Sequence, residues 1–434
     1  MAKQTSTPEA QDEASDYRHL DAPAEGVPDV VEDAAGLQRA IEALRAGTGP
    51  VAIDAERASG YRYGQRAYLI QIRREGSGSW LIDPIPFDDL TELDEALADA
   101  EWVLHAATQD IPCLAELGMR PRNLFDTELG ARLAGVHRVG LAAVLEYYLG
   151  ITLAKEHSAV DWSTRPLPEP WLRYAALDVE LLVELRDRME RDLREQHKWE
   201  FAAQEFEALT HFVGPEHRPD PWRRTSGMHR VRSPRGLATV RELWLTRDSI
   251  ARRLDVTTTR VLPDATIVDL AAKAPGSAKN VHKSRAEKTP SRQRRASQGL
   301  ATHEAEWIAA IERAAALDNA DLPEIPAQSD TPPPARSWSD RDEVAADRLG
   351  QVRADMTALS EHYDIPLENL LTPDVLRRAV WRPPVDDDGA TSDEAVHELL
   401  TSLGARPWQA DLASPVIARA VNDITGHEAA ASDA

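Results

Sequence analysis

The sequence predicts an α/β domain followed by two smaller all-α modules. Short apolar runs alternate with amphipathic helical patterns over residues 31–212, which is typical of an α/β unit. Helical spacing then dominates in residues 236–303 and again in 340–425. Stretches rich in proline and charge, at 213–235 and 321–339, separate these parts, so we interpret them as linkers.

Within the first part, three short strands are expected to form a meander. Residues 31–46 have helical spacing, and a turn at 47–50 leads to a strand at 51–54. Strands at 68–72 and 80–83 follow, and the glycines between them favour an antiparallel pair. The later elements are helices at 90–97 and 111–117, a strand at 102–105, and helices from residue 126 onward.

The two ends of the chain predict no packed structure. Residues 1–30 contain seven acids and two bases, so we expect a disordered acidic leader, and 426–434 is expected to be a disordered tail. No apolar stretch is long enough to span a membrane. The single cysteine, Cys113, excludes an internal disulfide and indicates a buried side chain in a cytoplasmic protein.

The two helical modules carry a faint internal repeat. Asp255-Val256 in the first module corresponds to Asp364-Ile365 in the second, and a Leu-x-Pro-Asp-like stretch follows each pair. The similarity predicts that one helical unit was duplicated.

The overall charge argues against the simplest kind of nucleic-acid binder. The formal net charge is −23, whereas a protein that binds nucleic acid over its whole surface is basic. A local positive track within an acidic chain stays compatible with a nucleic-acid substrate. The sequence contains no phosphate-binding Gly-x4-Gly-Lys loop, paired-cysteine zinc motif or Gly-x-Ser-x-Gly elbow, so we expect no nucleotide cofactor, structural zinc or serine hydrolysis.

Four acids and a tyrosine form the candidate active site. Asp54 and Glu56 are two residues apart on a strand, so their side chains share a face. Asp110 follows the strand at 102–105, while Tyr174 and Asp178 are one helical turn apart. Carboxylates in this number suit two divalent ions, Mg²⁺ or Mn²⁺, and such a pair hydrolyses phosphodiester bonds by activating a water.

Each piece also has a simpler interpretation. An Asp-x-Glu pair at a strand end is typical of a solvated edge, and Asp110 could be a helix N-cap residue. Tyr174 and Asp178 could form a surface hydrogen bond. The ordered set of strand, strand end and helix is what favours a metal site, with Tyr174 orienting the attacking water beside Glu56.

The sequence resembles ribonuclease D and the wider DEDD exonuclease superfamily, in its tyrosine-bearing branch. The three motifs occur in order at residues 51–56, 103–110 and 174–179, with similar segments at 125–127, Lys155 and 161–167 between them. The resemblance implies a ribonuclease-H-like fold and hydrolysis of nucleotides from a 3′ end. It assigns catalysis to Asp54, Glu56, Asp110, Tyr174 and Asp178, with the four acids as metal ligands.

The helical modules share this resemblance. Residues 236–300 resemble an HRDC domain, a nucleic-acid-binding module, and the stretch 242–252 carries that similarity. The C-terminal module resembles the second, more diverged HRDC-like domain of ribonuclease D. The chain departs from the family pattern at Ala55 and Arg57, and Arg57 and Ala58 could change contacts to the terminal base.

Several residues outside the acid set are candidates for nucleic-acid contacts. Residues 279–295 contain seven Lys or Arg and one acid, which indicates either a phosphate track or a solvated loop. His105 is either a substrate contact or a packing histidine, and Lys155 and Arg165 are phosphate contacts or surface ion pairs. Trp162 is expected to pack in the interior. The full candidate set is His105, Lys155, Arg165, Lys279, Lys283 and Arg285.

These observations predict a metal-dependent 3′–5′ exoribonuclease that acts on RNA with a free 3′ end, such as tRNA precursors. The helical modules are expected to form a clamp beside the cleft. A DNA 3′–5′ exonuclease with the same site and a catalytically dormant nucleic-acid-binding scaffold stay as alternatives. We expect a cytoplasmic protein without membrane contact, and the sequence identifies no protein partner.

Overall fold

The computed structural model describes residues 17–153, 160–215, 219–273, 289–324, 332–387 and 389–432, with side chains to residue 424. A mixed sheet of six strands forms the centre of the first domain, and a separate pair of strands lies beside it. The strands are β1 Arg18–Leu20, β2 Val30–Val31, β3 Thr48–Arg57, β4 Ala67–Glu75, β5 Gly78–Ile82, β6 Trp102–Leu104, β7 Leu124–Asp126 and β8 Ile151–Leu153.

The sheet has the order β2-β5-β4-β3-β6-β7. The strands β3, β4 and β5 form the expected antiparallel meander, while β6 and β7 are parallel to β3. The helices of this domain are α1 Ala34–Ala46, α2 Thr91–Ala96, α3 Ile111–Ala115, α4 Thr127–Leu133, α5 Leu141–Leu149, α6 Glu169–Glu180, α7 Leu182–Glu195 and α8 Trp199–Thr210.

Alternation along the strands divides the core between the two faces of the sheet. Leu69 and Leu81 pack with Ala175 and Ala176 of α6 on one face. Neighbouring positions such as Ile70 lie on the other face, within a larger core that includes α7 and α8. Since β-strand side chains alternate, the acids of β3 share the face that α6 covers.

Two expectations for the N-terminal region were wrong. β3 begins at Thr48, which pairs with Glu75 before a bulge, so 47–50 is not a separate turn. The expected disordered leader is also wrong for residues 17–30, because β1 pairs in parallel with β8 and Val30 pairs with Leu81. Strands of two or three residues are too short to produce a period-2 pattern in the sequence. Residues 1–16 lie outside the described residues.

The first helical module has its own core. It contains α9 Pro234–Leu254, α10 Thr258–Val261, α11 Asp264–Lys273, α12 Pro290–Thr302 and α13 Glu304–Ala316. Its expected end at residue 303 was too early, because Trp307 of α13 is fully buried in this core. The expected linker at 213–235 also contributes Trp222 and Val231 to the same core.

The second helical module shares its core with the first domain. It contains α14 Glu343–Tyr363, α15 Leu367–Leu370, α16 Pro373–Trp381, α17 Asp393–Ser402 and α18 Pro407–Ser432. Trp338 of the expected linker is fully buried against Trp381, with ring centroids 4.7 Å apart, so the linker ends before it. The expected disordered tail is wrong up to Ser432, because α18 continues that far.

The backbone supports the predicted duplication. α9 and α14 both contain 21 residues, and each ends at an aspartate in the left-handed conformation: Asp255 has φ 49° and ψ 51°, and Asp364 has φ 48° and ψ 51°. A four-residue helix follows in each module, capped by an extended leucine, Leu262 or Leu371. Aspartate tolerates the left-handed region better than most residues, which fits its presence at both turns. Among the described residues no helix has the length and apolarity to span a bilayer.

Candidate metal centre

β3 presents Asp54 and Glu56 at an uncovered strand edge. The strand does not end at Asp54 as expected; it continues to Arg57, and Asp54 and Glu56 pair with Gln71 and Leu69 of β4. On its other side, β3 pairs with β6 only at Val51 and Ala52. The acids therefore face a cleft because β6 is short, while β3 itself extends past them.

A sharp turn after β6 carries Asp110 into the same cleft. Ala106 is left-handed, and a 3-10 turn at Ala107–Gln109 leads to Asp110. The buried carboxylate of Asp126 stabilises this turn by accepting hydrogen bonds from the backbone N–H groups of Ala106 at 3.1 Å and Ala107 at 2.9 Å. Asp110 occupies the N-cap position of α3, but its side chain makes no capping hydrogen bond. Asp110 is therefore an N-cap residue by position, as the simpler interpretation had it, but its carboxylate does not cap the helix.

The helix α6 supplies Tyr174 and Asp178 from the opposite side of the cleft. α6 packs on β3, β4 and β5, and this packing fixes the positions of Tyr174 and Asp178 relative to the acids of β3. Trp162 is fully buried, as expected, and its ring lies 6.4 Å from that of Tyr174 between centroids. Packing under Tyr174 thus fixes the phenol at the rim of the cleft.

Three of the four acids converge tightly. One carboxylate oxygen from each of Asp54, Glu56 and Asp178 lies within 4.8 Å of the others, a spacing that could hold a metal ion. Asp110 lines the same cleft, of about 610 Å³, but is outside this tight group. Its carboxylate lies 3.9 Å from Nε of Arg57.

Burial of these acids raises their pKa values. Burial raises the pKa of Asp54 to about 6. Burial and the charges of Asp54, Asp178 and Asp110 raise the pKa of Glu56 well above its usual range. Burial and Asp54 do the same for Asp110. Like charges held together away from water are unfavourable without a cation, and hard carboxylate oxygens are the ligands that divalent ions such as Mg²⁺ prefer. The donor set therefore fits a divalent metal ion.

Burial and neighbouring Asp178 also raise the pKa of Tyr174. The phenol therefore stays protonated at neutral pH and donates a hydrogen bond to Asp178, as the simpler interpretation of this pair had it, so it does not serve as a base.

Of the residues predicted to contact nucleic acid, the structure places one in the cleft. His105 lines the cleft, and its Nδ1 lies 2.9 Å from Oγ1 of Thr127. Burial lowers the pKa of His105 to about 4, so its imidazole is neutral at pH 7. Lys155, Lys279, Lys283 and Arg285 lie outside the described residues.

Arg165 is not among the residues that line the cleft, and its contacts match the alternative interpretation, an ion pair. Its guanidinium binds the carboxylate of Asp83 at 2.6 and 3.0 Å, and also three backbone carbonyls, those of Trp162, Thr164 and Tyr68. These contacts use all five N–H donors of the side chain. Arg165 therefore ties the segment before α6 to the sheet.

Several residues in and beside the cleft were missed in the sequence. Asp126 was noted only as part of a motif, although it fixes the turn before Asp110. Ser59, Gly60 and Tyr61 line the cleft from the connection between β3 and β4. Their glycine and tyrosine content was a weak signal, because such composition is typical of many loops.

Comparisons with known proteins match each part of the chain. Residues 28–194 match the family model for a 3′-5′ exonuclease, 236–298 the HRDC domain, and 331–421 the 3′ to 5′ exonuclease C-terminal domain. Ribonuclease D of Nitrobacter hamburgensis is 31% identical over 247 residues, 56% of this chain and 61% of that protein. Ribonuclease D of Jannaschia sp. is 29% identical over 300 residues, 66% of this chain and 74% of that protein.

The resemblance to ribonuclease D is confirmed. The chain carries a 3′-5′ exonuclease domain followed by an HRDC domain and an exonuclease C-terminal domain. The predicted fold class, a mixed α/β domain with two helical domains after it, is confirmed as well. The match spans less than two thirds of several ribonuclease D relatives, 61% in one and 56% in another.

Solved structures share the whole architecture. A protein from Bifidobacterium adolescentis is 38% identical, with a TM-score of 0.82 over 94% of this chain and 100% of that chain. Escherichia coli RNase D has a TM-score of 0.65 and 24% identity over 86% of this chain and 98% of that chain, which shows a common fold.

Proposed function

We propose that the chain is a metal-dependent 3′–5′ exoribonuclease that acts on RNA with a free 3′ end. The observation that carries this proposal is the convergence of Asp54, Glu56 and Asp178 within 4.8 Å, in a cleft that Asp110 and Tyr174 also line. Several relatives are named ribonuclease D, and the Escherichia coli protein of similar fold is described as an exoribonuclease involved in structured RNA processing. RNA processing, including that of tRNA precursors, belongs to the same proposal.

Two divalent ions, Mg²⁺ or Mn²⁺, belong to the proposal. Asp54, Glu56 and Asp178 would hold one, and Asp54 with Asp110 the other. When bound, such ions lower the pKa of a water and neutralise charge on the departing 3′ oxygen. The hydroxyl of Tyr174 donates to Asp178, so its oxygen would accept a hydrogen bond from the attacking water. Glu56 would accept a second hydrogen bond from the same water.

The route of the RNA to the cleft is proposed to cross the first helical module. Arg292, Arg294 and Arg295 of α12 are exposed, and they are the described part of the basic stretch. Exposed arginines attract phosphates without reading sequence, and a local track of this kind compensates for an acidic chain. A cytoplasmic location also belongs to the proposal, and the single, buried Cys113 supports it.

A time course on a 5′-labelled RNA with a single-stranded 3′ tail tests the activity. We expect progressive shortening from the 3′ end with Mg²⁺ or Mn²⁺, none with EDTA, and loss by at least about 10³-fold in Asp54→Asn. The matched control is Asp411→Asn, which removes an exposed charge from the second module. Undiminished trimming by Asp54→Asn would refute the site.

The same experiment separates the alternatives. A DNA oligomer of the same sequence tests sugar preference, and faster trimming of DNA would make the chain a DNA exonuclease. Binding of RNA without turnover in Mn²⁺ would make it a dormant scaffold.

A further inference from the structure

A loop beside the metal centre is bound by the first helical module. This cleft loop, residues 58–66, connects β3 to β4, and its Ser59, Gly60 and Tyr61 line the cleft. The segment opposite, residues 255–260, is the turn after α9 and the start of α10. We call it the docking turn. Contacts between the two join a helical module to the wall of the candidate active site.

The backbone of the cleft loop finds hydrogen-bond partners in the docking turn. The N–H of Thr257 donates to the carbonyl of Tyr61 at 3.2 Å, and Nε of Arg260 donates to the carbonyl of Gly60 at 3.0 Å. In the other direction, the N–H of Tyr63 donates to Oδ1 of Asp255 at 3.3 Å. These bonds constrain backbone positions of the loop residues that line the cleft.

Side chains of the cleft loop strengthen the attachment. The guanidinium of Arg62 lies 3.2 Å from the carboxylate of Asp255 and donates to Oγ of Ser163 at 2.7 Å, so it joins three segments of chain. The hydroxyl of Tyr63 donates to Asp248 at 2.9 Å, and its ring packs against the core of the first module. The guanidinium of Arg260 lies 4.4 Å from the ring centroid of Tyr61.

The cleft loop is held both by the first domain and by the docking turn. Its own hydrogen bonds are local: Tyr61 and Arg62 donate to the carbonyl of Ala58, Ser59 donates to Gln65 at 2.7 Å, and Nε2 of Gln65 donates to the carbonyl of Gly64 at 3.2 Å. Ala58 is buried, and Tyr61 packs against the same apolar cluster beside α6. A side chain at Gly60 or Gly64 would meet open space, and glycine leaves the backbone conformationally free. The docking turn therefore adds restraint to the part of the loop between Gly60 and Tyr63.

We propose that the docking turn positions the cleft loop for substrate, so that Asp255 and Arg260 are positioning residues for the exonuclease site. The first helical module thereby forms part of the cleft wall, in addition to any RNA that it binds directly. The kinetic part of this inference rests on the proposed function. If it holds, the binding of an RNA too short to reach the helical module still depends on Asp255 and Arg260.

The kinetic test uses a tetranucleotide RNA and a 20-nucleotide RNA with the double variant Asp255→Ala/Arg260→Ala. We expect KM for the tetranucleotide to rise about 10-fold while kcat changes less than about twofold, because a loose loop weakens binding and leaves the metal ligands in place. A merely structural role would lower the active fraction, and therefore kcat, without raising KM. Unchanged KM for both RNAs would overturn the inference.

The matched control is Asp364→Ala/Arg253→Ala. Asp364 is the corresponding left-handed aspartate of the second module, and Arg253 is an exposed arginine of α9 that pairs with Glu306. Both double variants carry the same residue changes and the same left-handed alanine. We expect the control to retain the KM of the wild type. The single variant Asp255→Asn keeps the side-chain oxygen that accepts the hydrogen bond from the N–H of Tyr63. Its KM for the tetranucleotide should therefore lie within about threefold of the wild-type value.

Hydrogen exchange tests the positioning without activity. We expect peptides covering residues 58–66 to exchange several-fold faster in Asp255→Ala/Arg260→Ala than in the wild type, and at the wild-type rate in the control. Equal exchange in all three proteins would overturn the inference even if the enzyme is active. If the wild type hydrolyses no RNA, the proposed function fails, and the exchange result still decides whether the docking turn orders the loop.

Discussion

The two helical modules begin with corresponding helices and turns but attach to the exonuclease domain by different chemistry. The first has a separate apolar core and contacts the cleft loop mainly through hydrogen bonds and charged side chains. Within the described residues, the helices of the second module share one core with the exonuclease domain, where Phe201 stacks on Trp408 at 4.7 Å between centroids. Nε1 of Trp408 also donates to Glu205 at 3.0 Å.

This difference indicates a division of labour between the repeats. Burial of aromatic rings stabilises an interface strongly, whereas exposed ion pairs such as Arg62 with Asp255 contribute little, on the order of 0–1 kcal/mol each. The second module is therefore a permanent part of the exonuclease domain. The first module contacts the cleft loop mainly through exposed polar groups, so it orients the loop while adding little to the stability of the exonuclease domain.

The largest expected effect is on the free energy of unfolding, when one buried tryptophan in each module is replaced by alanine. Trp408→Ala should lower the free energy of unfolding of the exonuclease domain by about 3–5 kcal/mol, because it leaves a cavity in the shared core. Trp307→Ala should instead destabilise only the first module, where the ring is fully buried. Calorimetry would then show a separate early transition. A common transition lowered equally by both changes would contradict the separation of the cores.

A second prediction is that a substitution in the cleft, unlike one in either core, raises the free energy of unfolding. Without metal, Asp54→Asn should raise the free energy of unfolding by about 1–3 kcal/mol at pH 7. The reason is that burial raises the pKa of Asp54 to about 6 in the folded protein. The folded state then binds more protons than the unfolded state between about pH 4 and 6, so stability falls as pH rises through that range.

Urea unfolding of wild type and Asp54→Asn at pH 4 and pH 7, with EDTA present, measures this effect. The two proteins should be nearly equal in stability at pH 4 and should differ at pH 7. A less stable Asp54→Asn at pH 7 would show that the carboxylate is stabilised by something other than metal.

The smallest expected effect concerns salt. Raising NaCl from 0.1 to 1 M should increase hydrogen exchange in residues 58–66 by about threefold or less, because screening weakens the exposed pairs at the docking turn. Exchange in α8, which packs with the second module, should not rise. A larger response in α8 than in the cleft loop would reverse the comparison.

The acids of the candidate metal centre could be predicted to lie together because local geometry places them. Alternation put Asp54 and Glu56 on one face, and helical spacing put Tyr174 and Asp178 on one side of α6. The sequence did not predict that the edge of β3 facing β6 is unpaired at Asp54, because this depends on how far β6 extends. Strand length in a sheet is decided by tertiary pairing.

The contacts of several side chains could not be predicted, because the sequence shows which residues are present but not which of them are in contact in the folded protein. Arg165 was a candidate for a phosphate contact or an ion pair, and the sequence did not show that Asp83, distant along the chain, is its partner. Trp222 and Trp338 were placed in linkers because prolines surround them, although both are buried. A tryptophan within a proline-rich stretch was the available signal, since so large an apolar side chain is seldom left in water.

Binding of Mn²⁺ to the wild type and to Asp54→Asn, followed by calorimetry at pH 7, tests the central claim most directly. The claim is that residues from β3, the turn after β6 and α6 form one metal centre. It predicts saturable binding of two Mn²⁺ ions per wild-type chain and loss of that binding in Asp54→Asn, with Asp411→Asn unchanged. Identical binding curves for all three proteins would contradict it.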